Sequence, residues 1–199
     1  IDPFSLTQIE VLRGPAALAY GGNAVGGAVN LIDQRIARKA VEGLNAEINA
    51  LSGGASKQTA GGFQLNAGIG QGISLHLDGF RRRTGDLETP TFTDPNGVVS
   101  NRVQNSSSNS SGVGFGTSIQ TRHGYVGVSA EQFNSNYGVP KSLDVRIGMD
   151  SERYALEGEQ KYPGMLNSVK FRLAHTDYQH QEFEDGTPAT NQQGALPPA

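Results

Sequence analysis

The 199-residue chain has no cysteine, no tryptophan and only two methionines, and just 36% of its residues are hydrophobic. Without cysteine there is no disulfide framework, and the absence is compatible with an oxidising compartment without establishing one. A soluble α/β domain usually carries more apolar residues, near half. The formal net charge is −3, so no strongly basic surface points to nucleic acid. No run of about 18 apolar residues exists, which excludes a membrane-spanning helix. It does not exclude a membrane barrel, whose strands need only about 9–11 alternating residues. What the chain has instead is glycine, 27 residues of it, with apolar alternation along most of its length. That recurrence argues against disorder. The chain begins at Ile1 with neither initiator methionine nor signal peptide, and ends on Leu196-Pro197-Pro198-Ala199, so both ends read as cuts through a longer protein.

The pattern changes near Arg38. Before it, Ile9 to Pro15 reads as a strand running into a helix start, since the missing N–H of Pro15 is an orphan there anyway. Ala16-Ala17-Leu18-Ala19-Tyr20 favours one or two helical turns, Gly21-Gly22 ends them, and Ala28 to Ile32 predicts a short strand. After Arg38 the period is two. Leu44, Ala46, Ile48 and Ala50 share one face against Asn45, Glu47 and Asn49. The same alternation recurs around Phe63–Ile69, Ile73–Leu77, Val113–Ile119, Val126–Ala130, Tyr154–Leu156 and Val169–Leu173. Side chains alternate faces in a strand, so these segments predict about seven strands with one apolar face each.

The connections also alternate. Gly70-Gln71-Gly72, Arg122-His123-Gly124 and Tyr162-Pro163-Gly164 are tight, whereas Leu87 to Asn105, Tyr137 to Gly148 and the stretch from Asp185 onward are longer; only the first, Ser52 to Ser56, breaks the rule. Short turns at one end and long loops at the other describe an up-and-down outer-membrane barrel. A soluble sandwich shares the one-sided alternation, so the unequal connections carry the distinction.

Candidate chemistry is sparse. Gly21-Gly22-Asn23-Ala24-Val25-Gly26-Gly27 lacks the Gly-Lys-Ser/Thr ending of a phosphate loop, so its glycines read as tight turns and close backbone approach. His180 and Glu182 lie two apart in an extended segment, on the same side as Tyr178, Arg172 and Lys170. An imidazole with a carboxylate suits a divalent ion such as Zn²⁺, while the plain alternative is a polar strand end hydrogen-bonded to its neighbours. Asp177 falls on the other face. His76 and Asp78 share the polar face near the short-turn end, His123 sits in a tight turn, and His175 falls on the apolar face; all three histidines read as structural or solvated. Asp94-Pro95-Asn96-Gly97 is turn chemistry, and the serine-rich run from Asn105 to Ser111 reads as a solvated strand entry. No Ser-His-Asp set or carboxylate pair stands out, so no catalytic site and no resident cofactor is expected.

Ile9-Glu10-Val11-Leu12-Arg13-Gly14-Pro15, then Ala19-Tyr20-Gly21-Gly22, then Val25-Gly26-Gly27-Ala28-Val29-Asn30-Leu31-Ile32 resembles the plug-end motif of TonB-dependent outer-membrane receptors. The residues carrying that resemblance are Glu10, Arg13, Gly14, Pro15, Tyr20, Gly21, Gly26, Gly27 and Asn30, over about 24 residues with correct internal spacing. The family implies a globular plug inside a 22-strand barrel in the outer membrane of a Gram-negative bacterium. It also implies the TonB–ExbB–ExbD complex, membrane lipid and a transported ligand as partners. Residues 1–38 would then be the C-terminal part of an α+β plug domain, and 39–199 the first, open part of a mainly β, antiparallel up-and-down transmembrane barrel. Glu10 and Arg13 would pair with the barrel wall, holding the plug through contacts that could yield when TonB pulls.

A finer resemblance reaches the zinc-uptake receptors of the ZnuD type. It rests on Leu75-His76-Leu77-Asp78-Gly79-Phe80, Arg83-Thr84-Gly85-Asp86, Gly124-Tyr125-Val126-Gly127-Val128, Tyr137-Gly138-Val139-Pro140 and Asp177-Tyr178-Gln179-His180-Gln181-Glu182. Those receptors often carry a His-rich loop after the Tyr-Gly-x-Pro motif, whereas this chain has Lys141-Ser142-Leu143-Asp144-Val145-Arg146. The expectation is energised uptake of a scarce metal ion, zinc first, or of a metal chelate, with His180 and Glu182 as metal ligands. The rivals are a passive porin or adhesin barrel, which would lack the plug motif, and a soluble β-sandwich binding module.

Overall fold

The computed structural model describes residues 6–14, 26–93, 97–140, 142–164, 167–184 and 187–188. The helix expected between Pro15 and Tyr20, together with Gly21, lies outside the described residues. Among those described, the chain is almost all strand and contains no helix. The first pair is β1 (Leu6–Arg13) with β2 (Gly27–Asp33), antiparallel, matching the two strands expected on either side of the glycine-rich turn. Residues 34–43 form no strand. Then follow β3 (Leu44–Gly53), β4 (Gln58–Gly68), β5 (Ile73–Thr84), β6 (Leu87–Thr93), β7 (Val99–Val103), β8 (Ser108–Thr121), β9 (Gly124–Val139), β10 (Ser142–Lys161), β11 (Ser168–Glu184) and β12 (Thr187–Pro188).

The main sheet has the order β12-β11-β10-β9-β8-β5-β4-β3, with every neighbouring pair antiparallel. Seven long strands therefore run as a meander, and the sheet does not close on itself. The long connection expected from Leu87 to Asn105 contains a hairpin of its own, β6 with β7, outside the main sheet. The β4–β5 turn is tight because Gly70, Gln71 and Gly72 all take positive φ (87°, 52° and 74°), a conformation that glycine enters without steric cost.

One expectation is corrected at Tyr137–Gly148. Instead of a long loop, β9 continues to Val139 and β10 starts at Ser142, with a register shift between Ser142 and Arg146. The period of two continues there but changes sides: Val145, Ile147 and Met149 alternate with Asp144, Arg146, Gly148 and Asp150, and fall on the face opposite the one that carries Tyr154 and Leu156. Ladder hydrogen bonds need no apolar side chains on a fixed face, so the pairing runs on through the switch.

The registers line up the apolar face. Leu44, Ala67, Leu75, Thr117, Val128, Leu156 and Leu173 lie side by side across seven strands, as do Ala46, Leu65, Leu77, Phe115, Ala130, Tyr154 and His175. The face has no cover: Leu173 is 64% exposed, and Ile48, in the next row along, 84%. From Val113 to Ile119 the belt spans about 20 Å, six steps at roughly 3.4 Å, against about 25 Å for the lipid-facing band of outer-membrane barrels. Above it the same face turns polar, in a row of Arg81, Ser111, Asn134, Asp150 and Gln179. Strands β9, β10 and β11, of 16, 20 and 17 residues, exceed the about 9–11 that cross a bilayer, and the surplus lies on the Arg81 side of the belt.

The opposite face is where burial occurs. Ser74, His76, Asp78, Ser118 and Glu157 are buried there, with Arg35 and Ile36 from the segment that precedes the sheet. The interior of this molecule is thus polar and the exterior apolar, the inverse of a soluble domain.

Candidate functional site

The centre of the buried polar face is built around Arg35. On β8, Gly114 and Gly116 alternate on this face, opposite Asp78 and His76 of β5. A Cβ at Gly116 would run into the backbone carbonyl of Arg35, and one at Gly114 into its guanidinium. The missing side chains form the slot in which this residue lies. Gly127 does the same for Ile36, whose side chain fills the space a Cβ would take.

The guanidinium then meets three carboxylates. Nε donates to Asp78 Oδ1 at 2.7 Å and Nη2 to Asp78 Oδ2 at 3.1 Å, a bidentate grip. Nη1 donates to Asp33 Oδ2 at 3.0 Å and also contacts Glu131 Oε2. The Arg35 and Asp78 side chains are 8% and 3% exposed. His76 extends the network, bonding Asp78 Oδ1 at 3.1 Å through Nε2 and Asn66 Oδ1 at 2.7 Å through Nδ1. Burial disfavours the charge on Arg35, but the hydrogen bonds and field of Asp78, with the fields of Glu131 and Asp33, outweigh it and hold the guanidinium above its usual range.

A second contact lies alongside. Arg38 Nε donates to Glu157 Oε1 at 3.1 Å, and Arg172 Nε to Oε2 of the same carboxylate at 3.0 Å. Tyr125 also donates to Glu157 Oε1, at 3.1 Å. For Arg38 too, burial opposes the charge, and Glu157 outweighs it, raising the guanidinium. Between the two arginines, Gln120 Nε2 donates to the Ala37 carbonyl at 2.7 Å, and beyond them the Val41 amide donates to Ser74 Oγ at 3.1 Å. Residues 35–41 are therefore bound to the polar face at both side chains and backbone.

The residues singled out in the sequence fall differently. Glu10 accepts from Asn30 Nδ2 at 2.9 Å and from Gln8 Nε2 at 3.1 Å, within the β1–β2 pair. Among the described residues, Glu10 and Arg13 make no ion pair with the main sheet. Arg35 and Arg38, just after β2, do pair with the main sheet. Gly14 has a positive φ of 70°, and Gly27 passes so close to the Leu12 carbonyl that a Cβ would crowd it. Gly26 meets nothing nearby. Pro15, Tyr20 and Gly21 are outside the described residues. His76 and Asp78 are on the polar face as their alternation requires, Asp78 bonded to Arg35 of the preceding segment and His76 to Asp78.

His180 and Glu182 lie on β11 opposite Met149 and Ile147, both exposed, with the His180 ring 5.6 Å from that of Tyr178. No group of three or more His, Cys, Asp or Glu side chains suited to a metal occurs among the described residues. Further along the polar face is a cavity of about 290 Å³ lined by Phe80, Phe133, Met149, Thr176, Tyr178 and Arg153. Phe80 and Phe133 meet there across Gly112, with ring centres 6.1 Å apart.

Sequence reasoning passed over Arg35 and Arg38. A signal existed on the other partner: two glycines spaced by two on a polar face, beside a histidine and an aspartate, mark a place where another chain segment comes close.

No family model matches the chain. It is 32% identical over 101 residues, half of its length, to the rhizobactin receptor of Rhizobium meliloti (strain 1021), of which this covers 13%. It is 38% identical over 82 residues, 40% of its length, to the ferrienterobactin receptor of Escherichia coli (strain K12), of which this covers 11%. Among solved structures it is similar to the siderophore receptor PirA of Pseudomonas aeruginosa, with a TM-score of 0.66 and 19% identity, over 92% of this chain and 30% of that one. The fold is thus that of part of a siderophore-receptor barrel, and the chain covers 30% of that structure and 13% and 11% of the two receptors matched in sequence.

Proposed function

We propose that this chain is the plug end, residues 1–38, and the first barrel strands, 39–199, of a TonB-dependent outer-membrane receptor that imports a metal chelate. The observation that carries the proposal is the seating of residues 35–41. They lie on a polar, charged face whose reverse is an apolar belt, an arrangement that fits a plug held inside a lipid-facing wall. A porin has no such segment, and a soluble sandwich would bury its apolar face rather than its polar one. The substrate class follows the relatives, which are named as receptors for rhizobactin and ferrienterobactin. In this reading TonB draws on the plug, the Arg35 and Arg38 contacts yield, and the ligand passes along the wall formed by Phe80, Phe133, Tyr178 and Arg153.

Zinc is the narrower alternative and depends on His180 and Glu182. Two donors are fewer than the four that a bound zinc ion usually takes, so this reading needs ligands from other parts of the protein. The experiment is uptake of radiolabelled iron, offered as siderophore chelates, and of radiolabelled zinc, by cells producing the full-length protein, with and without functional TonB. TonB-dependent iron uptake supports the proposal. TonB-dependent zinc uptake that drops in a His180→Ala variant transfers the function to zinc, and uptake indifferent to TonB refutes both.

A further inference from the structure

Directly above the apolar belt, on the same outward face, stand Arg81 and Arg83 of β5, both exposed. Their orientation is fixed by an unbroken register from Ser74 to Thr84: His76 and Asp78 point to the polar face, so Arg81 and Arg83 point the other way. Neither makes an ion pair among the described residues. Arg81 is flanked by Gly61 and Ser111, and Arg83 by Thr59 and Asn109. All four neighbours are short and uncharged, so the two guanidiniums, about 7 Å apart along the strand, stand over an open floor with hydroxyl and amide groups in it. Immediately below, the Phe63 ring covers Gly79 and Val113 follows on β8, forming an apolar ledge. The order is apolar ledge, then paired cations, then the side on which the strands overhang the belt. An arginine at such a boundary keeps its stem on the apolar surface and its head among polar groups.

We infer that Arg81 and Arg83 form a docking site for a phosphorylated lipid of the outer leaflet, gripping headgroup phosphate while the acyl chains lie on the Phe63–Val113 ledge. The planar fork of arginine suits bidentate phosphate binding, and two uncompensated cations at a membrane surface attract anionic headgroups. The nearest carboxylates on this face, Asp150 and Glu152, are three strands away, on β10.

This inference rests on the belt facing lipid, and its test separates the two. The full-length protein in neutral detergent is incubated with lipid A or with its dephosphorylated counterpart, and retained lipid is counted by native mass spectrometry. Wild type should retain the phosphorylated lipid preferentially, and Arg81→Gln/Arg83→Gln should weaken that retention by on the order of ten-fold. Arg81→Lys/Arg83→Lys should restore much of it, which also shows that the strand tolerates substitution. Lys170→Gln, a cation on the polar face, should change nothing, and inorganic phosphate should not displace the lipid. Equal retention of the two lipids, or undiminished retention by the double Gln variant, overturns the arginine site and leaves the belt lipid-facing. Retention of neither lipid overturns the lipid-facing reading itself, and displacement by inorganic phosphate reduces the site to a simple anion patch.

Discussion

Replacing Arg35 by alanine tests how residues 35–41 are held. The change leaves Asp78, 3% exposed, without its bidentate partner. Glu131 keeps Arg153 at 3.6 Å and is 21% exposed, so the loss falls mainly on Asp78. Breaking a buried ion pair by removing one partner costs about 3–5 kcal/mol, and the low end applies here, because water can reach a carboxylate once the segment lifts. At about 1.4 kcal/mol per ten-fold, 3 kcal/mol corresponds to roughly a hundred-fold rise in the undocked population. Hydrogen exchange of the peptide covering residues 33–41, in the full-length protein in detergent, should accelerate by that factor. The ladder amides of β8 and β9 should hold their rates. Arg35→Lys should fall between, since an ammonium cannot match the fork. Adding Asp78→Asn to Arg35→Ala should recover part of the loss, because no unpaired charge is then left behind. Exchange of Arg35→Ala within about three-fold of wild type, or strict additivity of the two changes, would refute the argument.

Three further outcomes follow from the same structure. Gly116→Val places atoms where the Arg35 carbonyl sits, so the 33–41 peptide should lose protection while every charge stays in place; unchanged protection would remove the slot from the account. Phe115→Arg, in the middle of the belt, should cost about 2–4 kcal/mol in refolding into bilayers, whereas at a water-exposed site it would cost almost nothing. Equal refolding yields in phosphatidylcholine vesicles would count against lipid contact. Glu88, exposed on β6, is held below the usual carboxylate range by its 2.6 Å pairing with Lys57. A depressed carboxylate stabilises above its unfolded pKa of about 4.3 and loses that contribution as pH falls through its folded value. The β6–β7 hairpin should therefore exchange faster relative to the main sheet in acid, and a Lys57→Gln variant should not show this pH dependence.

The meander was legible because each of its long strands has one apolar and one polar face, and a period of two survives in sequence wherever the two faces meet different surroundings. Legibility ended where the apolar residues changed sides. In β10 Tyr154 and Leu156 lie on one face, but Ile147 and Met149 lie on the other, alternating with Arg146, Gly148 and Asp150, so no single apolar face runs the length of the strand. The β6–β7 hairpin was hidden because Leu87 and Phe92 are an odd number of residues apart, so β6 has no single apolar face, and its register is broken between Glu88 and Phe92. The ionic contact was legible from one side only. Alternation alone put His76 and Asp78 on the polar face, but nothing near Arg35 in sequence distinguishes it from the arginines at 38, 81, 82 or 83. Its partners on the main sheet lie 43 and 96 residues away, and a single sequence carries no record of that pairing.

The composition of the contact bears on how it could work. An apolar interface between segment and wall would grow more costly to open in proportion to the area drawn into water. Arg35, Arg38 and their carboxylates behave otherwise. Their mutual attraction is largely offset by the water they gave up, so a pair that is costly to cripple by mutation is far less costly to separate whole into a wet lumen. Gly114, Gly116 and Gly127 add shape without adhesion, since they admit the segment closely yet contribute no side chain that must be peeled away. On the proposed reading, this combination fixes the resting position sharply and leaves a modest barrier to a mechanical pull. The same geometry leaves residues 35–41 tied by arginines to glycine-floored slots rather than by leucines to an apolar wall, because the apolar wall of this sheet is on its other face.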